Sequence, residues 1–66
     1  MPNQVSPSDT GRRVTFQFIL PNGHVSEVVG IFEFFDDGAQ TFMVRDKHGE
    51  MARVPLRAVK HGKIVS

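Results

Sequence analysis

Short apolar segments alternate with turns rich in glycine, asparagine and aspartate through most of this chain. From Arg13 to Leu20 every second residue is apolar, which places Val14, Phe16, Phe18 and Leu20 on one face of a strand. Three further apolar segments follow, at Val25–Phe35, Thr41–Arg45 and Glu50–Val54. This pattern is typical of antiparallel strands joined by tight turns.

The residues between these segments support the same interpretation. Pro21-Asn22-Gly23, Asp36-Asp37-Gly38 and Asp46-Lys47-His48-Gly49 all have turn composition. Pro55 ends the fourth strand because it cannot donate to a ladder, and Leu56–Val59 has the spacing of one 3-10 turn. Gly62–Val65 supplies a closing strand. The sequence therefore predicts an all-β fold, a small five-stranded SH3-like barrel with a 3-10 turn before its last strand.

The longest strand, Val25–Phe35, has apolar residues on both faces, which suggests that it bends and serves two halves of the barrel. Gly30 is the predicted position of the bend or bulge. Without a bulge, one face carries Val28, Gly30, Phe32 and Phe34, and the other carries Val29, Ile31, Glu33 and Phe35.

Neighbouring rings at positions 34 and 35 point to opposite faces of a strand. We favour burial of both rings in two packing layers; otherwise one ring is exposed and marks a surface for a partner, with Phe35 as its anchor. Ile19 and Met43 are the other apolar positions predicted to face outward, so the candidate protein contacts are Phe35, Ile19 and Met43.

Length and composition set the limits of this fold. The 66 residues form one domain, comprising a lead at 1–12 that we expect to be disordered and a barrel at 13–66. A chain this short buries only about 60% of its unfolded surface, and the absence of cysteine removes disulfides as a source of stability. We find no signal peptide and no apolar segment long enough to span a membrane, and we expect a cytoplasmic protein.

Charge is distributed unevenly along the chain. Residues 1–44 carry two basic and five acidic side chains, whereas residues 45–66 carry six basic and two acidic ones. Outward charges on barrel strands explain this asymmetry most simply. The alternative is a surface for phosphate groups, for which the candidate nucleic-acid contacts are Arg45, Lys47, Arg53, Arg57, Lys60 and Lys63.

The sequence offers no arrangement typical of an enzyme. Cysteine is absent, Ser26 near His24 is a poor nucleophile–base pair, and Asp36-Asp37 fits the capping of a turn better than acid–base catalysis. His24, His48 and His61 lack the spacing of zinc ligands. We therefore expect no catalytic residue, no cofactor and no metal. The absence of Tyr and Trp also argues against a groove for proline-rich peptides and against a methyl-lysine cage.

Several of these turns and strands occur in the same order in a known protein module. The matching positions are Leu20-Pro21-Asn22-Gly23, Val28-Val29-Gly30, Phe35-Asp36, Val44-Arg45, Gly49-Glu50, Val54-Pro55, Val59 and Gly62-Lys63-Ile64-Val65. In these the chain resembles the SH3-like N-terminal module of actinobacterial GNAT-type N-acetyltransferases. The resemblance implies an accessory barrel without enzyme activity, because the acetyl-CoA site of that family belongs to the following catalytic domain.

A second set of positions resembles the bacterial Sm-like RNA chaperones. Leu20-x-Asn22-Gly23 followed by Gly30-x-Phe32-x-x-Phe35-Asp36 is similar to their first signature, and Lys60-His61 is similar to their RNA-contacting pair. This resemblance implies binding of nucleic acid. The first resemblance covers more of the chain, so the leading hypothesis is a non-catalytic module that binds protein, as a monomer or homodimer, with nucleic-acid binding as the alternative.

Overall fold

The computed structural model of the protein describes residues 3–65 as one five-stranded antiparallel sheet around a small apolar core. The strands are β1 (Arg13–Ile19), β2 (Val25–Asp36), β3 (Thr41–Asp46), β4 (Met51–Pro55) and β5 (Val59–Ile64), in the order β4-β3-β2-β1-β5. Two 3-10 turns occur, at Pro7–Asp9 and at Leu56–Ala58, the latter just before β5. The predicted fold class is confirmed. Within residues 3–65 no helix is long and apolar enough to cross a membrane.

The core is built from one face of each long strand. Val14, Phe16 and Phe18 of β1 are buried, as their alternation predicts, and so are Phe42 and Val44 of β3 and Val54 of β4. The ring of Phe42 lies at the centre, 4.9 Å from that of Phe16, 5.3 Å from that of Phe32 and 4.9 Å from that of Phe35. Edge-on and tilted contacts of this kind stabilise a small core beyond the area that they bury.

The bulge of β2 lies at Glu33, not at Gly30 as predicted. Phe32 pairs with Val44 and Phe34 pairs with Met43, so Glu33 is an extra residue on β2. Gly30 has another role: a β-carbon there would collide with the carbonyl oxygen of Arg45 on β3. The glycine therefore permits close approach of two backbones, while the bulge bends the strand three residues later.

The N-terminal segment packs on the barrel, which differs from the disordered lead predicted for residues 1–12. Val5 is only 4% exposed and joins the core, and Asn3 bridges to Gly62 of β5 in a parallel arrangement. Gly11 N–H donates to the Phe32 carbonyl at 2.6 Å, and Phe32 N–H donates to that of Arg12 at 2.9 Å. Met1 and Pro2 of the predicted lead, and Ser66 of the predicted barrel, lie outside the described residues.

The last strand begins earlier than Gly62, where the sequence placed it. Val59 pairs with Phe18 of β1 directly after the 3-10 turn, and the register then shifts between Gln17 and Phe18. Because the turn ends in extended backbone at Val59, the chain enters the sheet without a separate connection.

Candidate interaction surface

Apolar side chains cover part of the side of the sheet that faces away from the core. Six large apolar residues among those described are exposed, and five of them project from this side. We call this surface the outer apolar face; its exposed members are Ile19, Val25, Val29, Phe34 and Met51, and Ile31 and Met43 are its half-buried members. Most of it follows β2, with Glu27 as a charged residue within the row. Apolar surface grouped in this way is typical of contact sites.

The bulge at Glu33 decides which phenylalanine belongs to this surface. The extra residue reverses the alternation that follows it, so Phe34 turns outward and is 49% exposed. Phe35 turns inward and rests edge-on against Phe42 at 4.9 Å. The favoured prediction that both rings are buried agrees with the inward position of Phe35 and is wrong for Phe34. The alternative, in which Phe35 is the exposed anchor, is wrong. The exposed ring at this end of β2 is that of Phe34.

The other two candidate protein contacts lie on the predicted side of the sheet. Ile19 is 46% exposed and pairs with Val25, which is 53% exposed, across β1 and β2. Met43 is half-buried because it lies between Phe34 on β2 and Arg53 on β4. Four exposed members of this face were not among the predicted contacts: Val25, Val29, Phe34 and Met51. Alternation along β2 indicated the outward position of the two valines.

The six candidate cations are spread over three parts of the molecule. Arg45 and Lys47 belong to the β3–β4 hairpin, Arg53 lies on β4 with Arg57 in the 3-10 turn that follows, and Lys60 and Lys63 lie on β5. Arg45 is engaged within the protein: its Nε lies 3.3 Å from Glu33 Oε2, and its Nη1 donates to the Gly49 carbonyl at 2.9 Å. The other five have no ion-pair partner within residues 3–65, and their positions do not follow one strand.

Two shallow grooves of similar size flank β1. The first, of about 330 Å³, lies in the seam between the end of β1 and the end of β4; we call it the seam groove. Its lining residues are Phe18, Ile19, Leu20, Pro21, Arg53, Pro55, Arg57 and Ala58. The second, of about 300 Å³, is polar and is lined by Gln4, Thr15, Gln17, Glu27, His61, Gly62 and Lys63. Both lie at the lower limit for a small-molecule site, which is about 300 Å³.

Two carboxylates hold backbone amides in turns. Asp36 Oδ1 accepts the N–H of Ala39 at 3.2 Å, which is the turn-capping role predicted for this carboxylate. Asp9 Oδ2 accepts the N–H of Ser6 at 2.8 Å at the first 3-10 turn. Within residues 3–65, no group of three or more His, Asp or Glu side chains could hold a metal ion.

Comparison of the chain with protein family models, with curated proteins and with solved structures found no match.

Proposed function

We propose that this protein is a non-catalytic accessory module that binds another protein through its outer apolar face. The observation that carries the proposal is the exposed ring of Phe34 beside Met43 on this face. Aromatic side chains and methionine are enriched at the centres of protein interfaces, and few residues supply most of the binding energy. Phe34 is therefore the expected anchor, with Ile19 and Val25 as a second contact on the same side of the sheet.

The free-energy cost of leaving these apolar side chains in water supports the proposal. Keeping Val25, Val29 and Phe34 in water forfeits about 25 cal/mol for each Å² of apolar surface left uncovered. In a domain with so few residues to bury, that cost is large relative to total stability. A partner that covers the face would recover it.

The class of partner is suggested by the resemblance to SH3-like modules that precede GNAT-type N-acetyltransferase domains. In such a pair the barrel contributes contacts, and the other protein contributes the acetyl-CoA site. An acetyltransferase catalytic domain is therefore the first partner to test, with the barrel as a monomer or homodimer.

The experiment measures the binding of an acetyltransferase catalytic domain to three forms of this protein: the wild type, Phe34→Ser and Leu56→Ser. Leu56 is a suitable control because it is 39% exposed but lies on the 3-10 turn, away from the outer apolar face. We expect Phe34→Ser to weaken binding by about tenfold or more, as for an anchor residue, and Leu56→Ser to leave it unchanged. Equal binding by all three forms would contradict the proposal.

Nucleic-acid binding is the alternative, and salt separates it from the main proposal. Contact with phosphates through Arg53, Arg57, Lys60 or Lys63 should weaken steeply as salt rises, whereas an apolar interface should not. Light scattering on a sizing column adds an independent criterion. A monomer or dimer agrees with the accessory module, and a ring-sized assembly that binds an RNA oligonucleotide would favour the Sm-like alternative.

A further inference from the structure

The outer edge of β4 has backbone groups that no strand pairs with. Asp46 N–H donates to the Glu50 carbonyl and Leu56 N–H donates to that of Gln40, each at 2.9 Å. With the register between these bonds, they show which residues of β4 form hydrogen bonds with β3 and which do not. Ala52 and Val54 therefore direct their backbone groups toward β3, and Met51 and Arg53 direct theirs away from it. β4 is a terminal strand of the sheet, so these groups face the seam.

The other terminal strand has its edge occupied at one residue. Gln4 N–H donates to the Gly62 carbonyl at 2.7 Å, and Asn3 bridges to Gly62, so the N-terminal segment occupies the edge of β5 at Gly62. Exposed strand edges are the common docking point for an added strand. Among residues 3–65, β4 is the terminal strand available for this mode of binding.

The seam groove lies directly beside this edge. Ile19, Pro21 and Ala58 give it apolar walls, and Arg53 comes from β4 itself. A strand that paired with β4 would direct alternate side chains to opposite faces, and one set would meet these walls. The groove of about 330 Å³ is large enough to receive individual side chains of such a strand.

Charge identifies the chemistry of the added strand. Arg53 and Arg57 are exposed, they line the groove together, and neither has an ion-pair partner within residues 3–65. No acidic residue lines the groove. Guanidinium groups in such a setting favour carboxylates, which they bind in a bidentate manner. A second copy of this chain would instead bring another arginine-bearing edge against this one.

We propose that β4 receives an extended acidic segment of a partner protein as a sixth strand. Backbone groups of Met51 and Arg53 pair with the segment, its apolar side chains enter the seam groove, and its carboxylates meet Arg53 and Arg57. The inference rests on the proposed function and deepens it by naming a second contact and its chemistry. A peptide fits better than a nucleic acid because only a peptide backbone offers N–H and C=O groups at the spacing of this edge.

The test uses fluorescein-labelled peptides of alternating valine and glutamate, with an alternating valine and lysine peptide of equal length as control. Fluorescence anisotropy should show binding of the acidic peptide only. Arg57→Glu should weaken it by about tenfold, because a charge reversal at a contact replaces attraction by repulsion. Lys60→Glu, the same change on β5, should have a much smaller effect. Equal effects of the two variants, or no binding of the acidic peptide at about 1 mM, would overturn the proposal.

Methylated peptides test strand pairing itself. Successive N–H groups of a strand point to opposite edges, so N-methylation of one alternate set should abolish binding and N-methylation of the other set should preserve it. When the acidic peptide is added, the amide resonances of Met51 and Arg53 should change chemical shift in ¹⁵N spectra, and their amide hydrogens should exchange more slowly with solvent. The exchange rates of Ala52 and Val54 should stay constant.

Three results would contradict strand addition by a peptide. The first is equal binding of both methylated peptides. The second is displacement of the peptide by an RNA oligonucleotide that changes the chemical shifts of the same β4 amides. The third is a change of these chemical shifts with protein concentration in the absence of peptide, which would make a second copy the occupant. None of them bears on the loss of partner binding by Phe34→Ser, so the two proposals fail separately.

Discussion

Gly62 of β5 lies against the ring of Phe16, its partner on the neighbouring strand β1. A β-carbon added to Gly62 would be 2.7 Å from Cε1 of Phe16 and 2.6 Å from Oδ1 of Asn3. Three parts of the chain therefore meet at a point that has room for no side chain: the N-terminal segment, β1 and β5.

Substitution of Gly62 by alanine should destabilise the protein. Phe16 is fully buried and cannot move aside easily, so we expect a loss of about 1–3 kcal/mol in the free energy of unfolding. Gly38→Ala is the control, because a β-carbon there would meet only Asp36 Oδ1, at an ordinary 3.5 Å. Urea denaturation measures both variants, and equal stability of the two would contradict the packing at Gly62.

Val5→Ala tests whether the N-terminal segment belongs to the folded structure in solution. Val5 is 4% exposed, so removing its two methyl groups should lower the free energy of unfolding by about 1–2 kcal/mol. Val25→Ala removes the same atoms from a side chain that is 53% exposed and should cost much less. A disordered segment, as the sequence predicted, would make Val5→Ala neutral.

The two adjacent phenylalanines should differ in how much they contribute to stability. Phe35→Ala removes a ring that contacts Phe42 and should cost about 2–4 kcal/mol. Phe34→Ala removes only a cross-strand contact with Met43 and should cost about 0.2–1 kcal/mol. Thermal unfolding provides the comparison. A greater loss of stability from Phe34→Ala would contradict the inward position of Phe35.

The β3–β4 turn should depend on one carboxylate. Asp46 Oδ1 accepts the N–H groups of His48 and Glu50, each at 2.9 Å. Asp46→Ala should cost about 1–2 kcal/mol because two amides lose their acceptor. Asp37→Ala, in the preceding turn, changes a carboxylate with no such bond among the described residues and should be nearly neutral. Denaturation midpoints that match for both variants would refute the role of Asp46.

Periodicity along the chain was sufficient to predict the sheet. Phe16 and Phe42 lie inward because alternation places them there, and Pro55 ends β4 because it cannot donate to a ladder. The 3-10 turn at Leu56–Ala58 followed from its spacing alone. These features depend on short-range constraints, which a sequence expresses directly.

Features that depend on long-range contacts could not be predicted in this way. The bulge at Glu33 arises where β2 changes its register with β3, and nothing in the residues around it distinguishes it from Gly30. The packing of Val5 also escaped prediction, since its segment has the composition of a disordered lead. Both errors affect the candidate site. Because of the bulge, the exposed ring is that of Phe34 and not that of Phe35. Because the N-terminal segment pairs with β5, β4 is the terminal strand considered for strand addition.

Asn3 and Gln4 occupy the outer edge of β5 at Gly62. Another strand could pair there only after the N-terminal segment had left the sheet. That movement would also take Val5 out of the core. The loss of apolar burial at Val5 therefore opposes strand exchange at this edge. One short segment thus completes the core and keeps part of a sheet edge from pairing with a second copy.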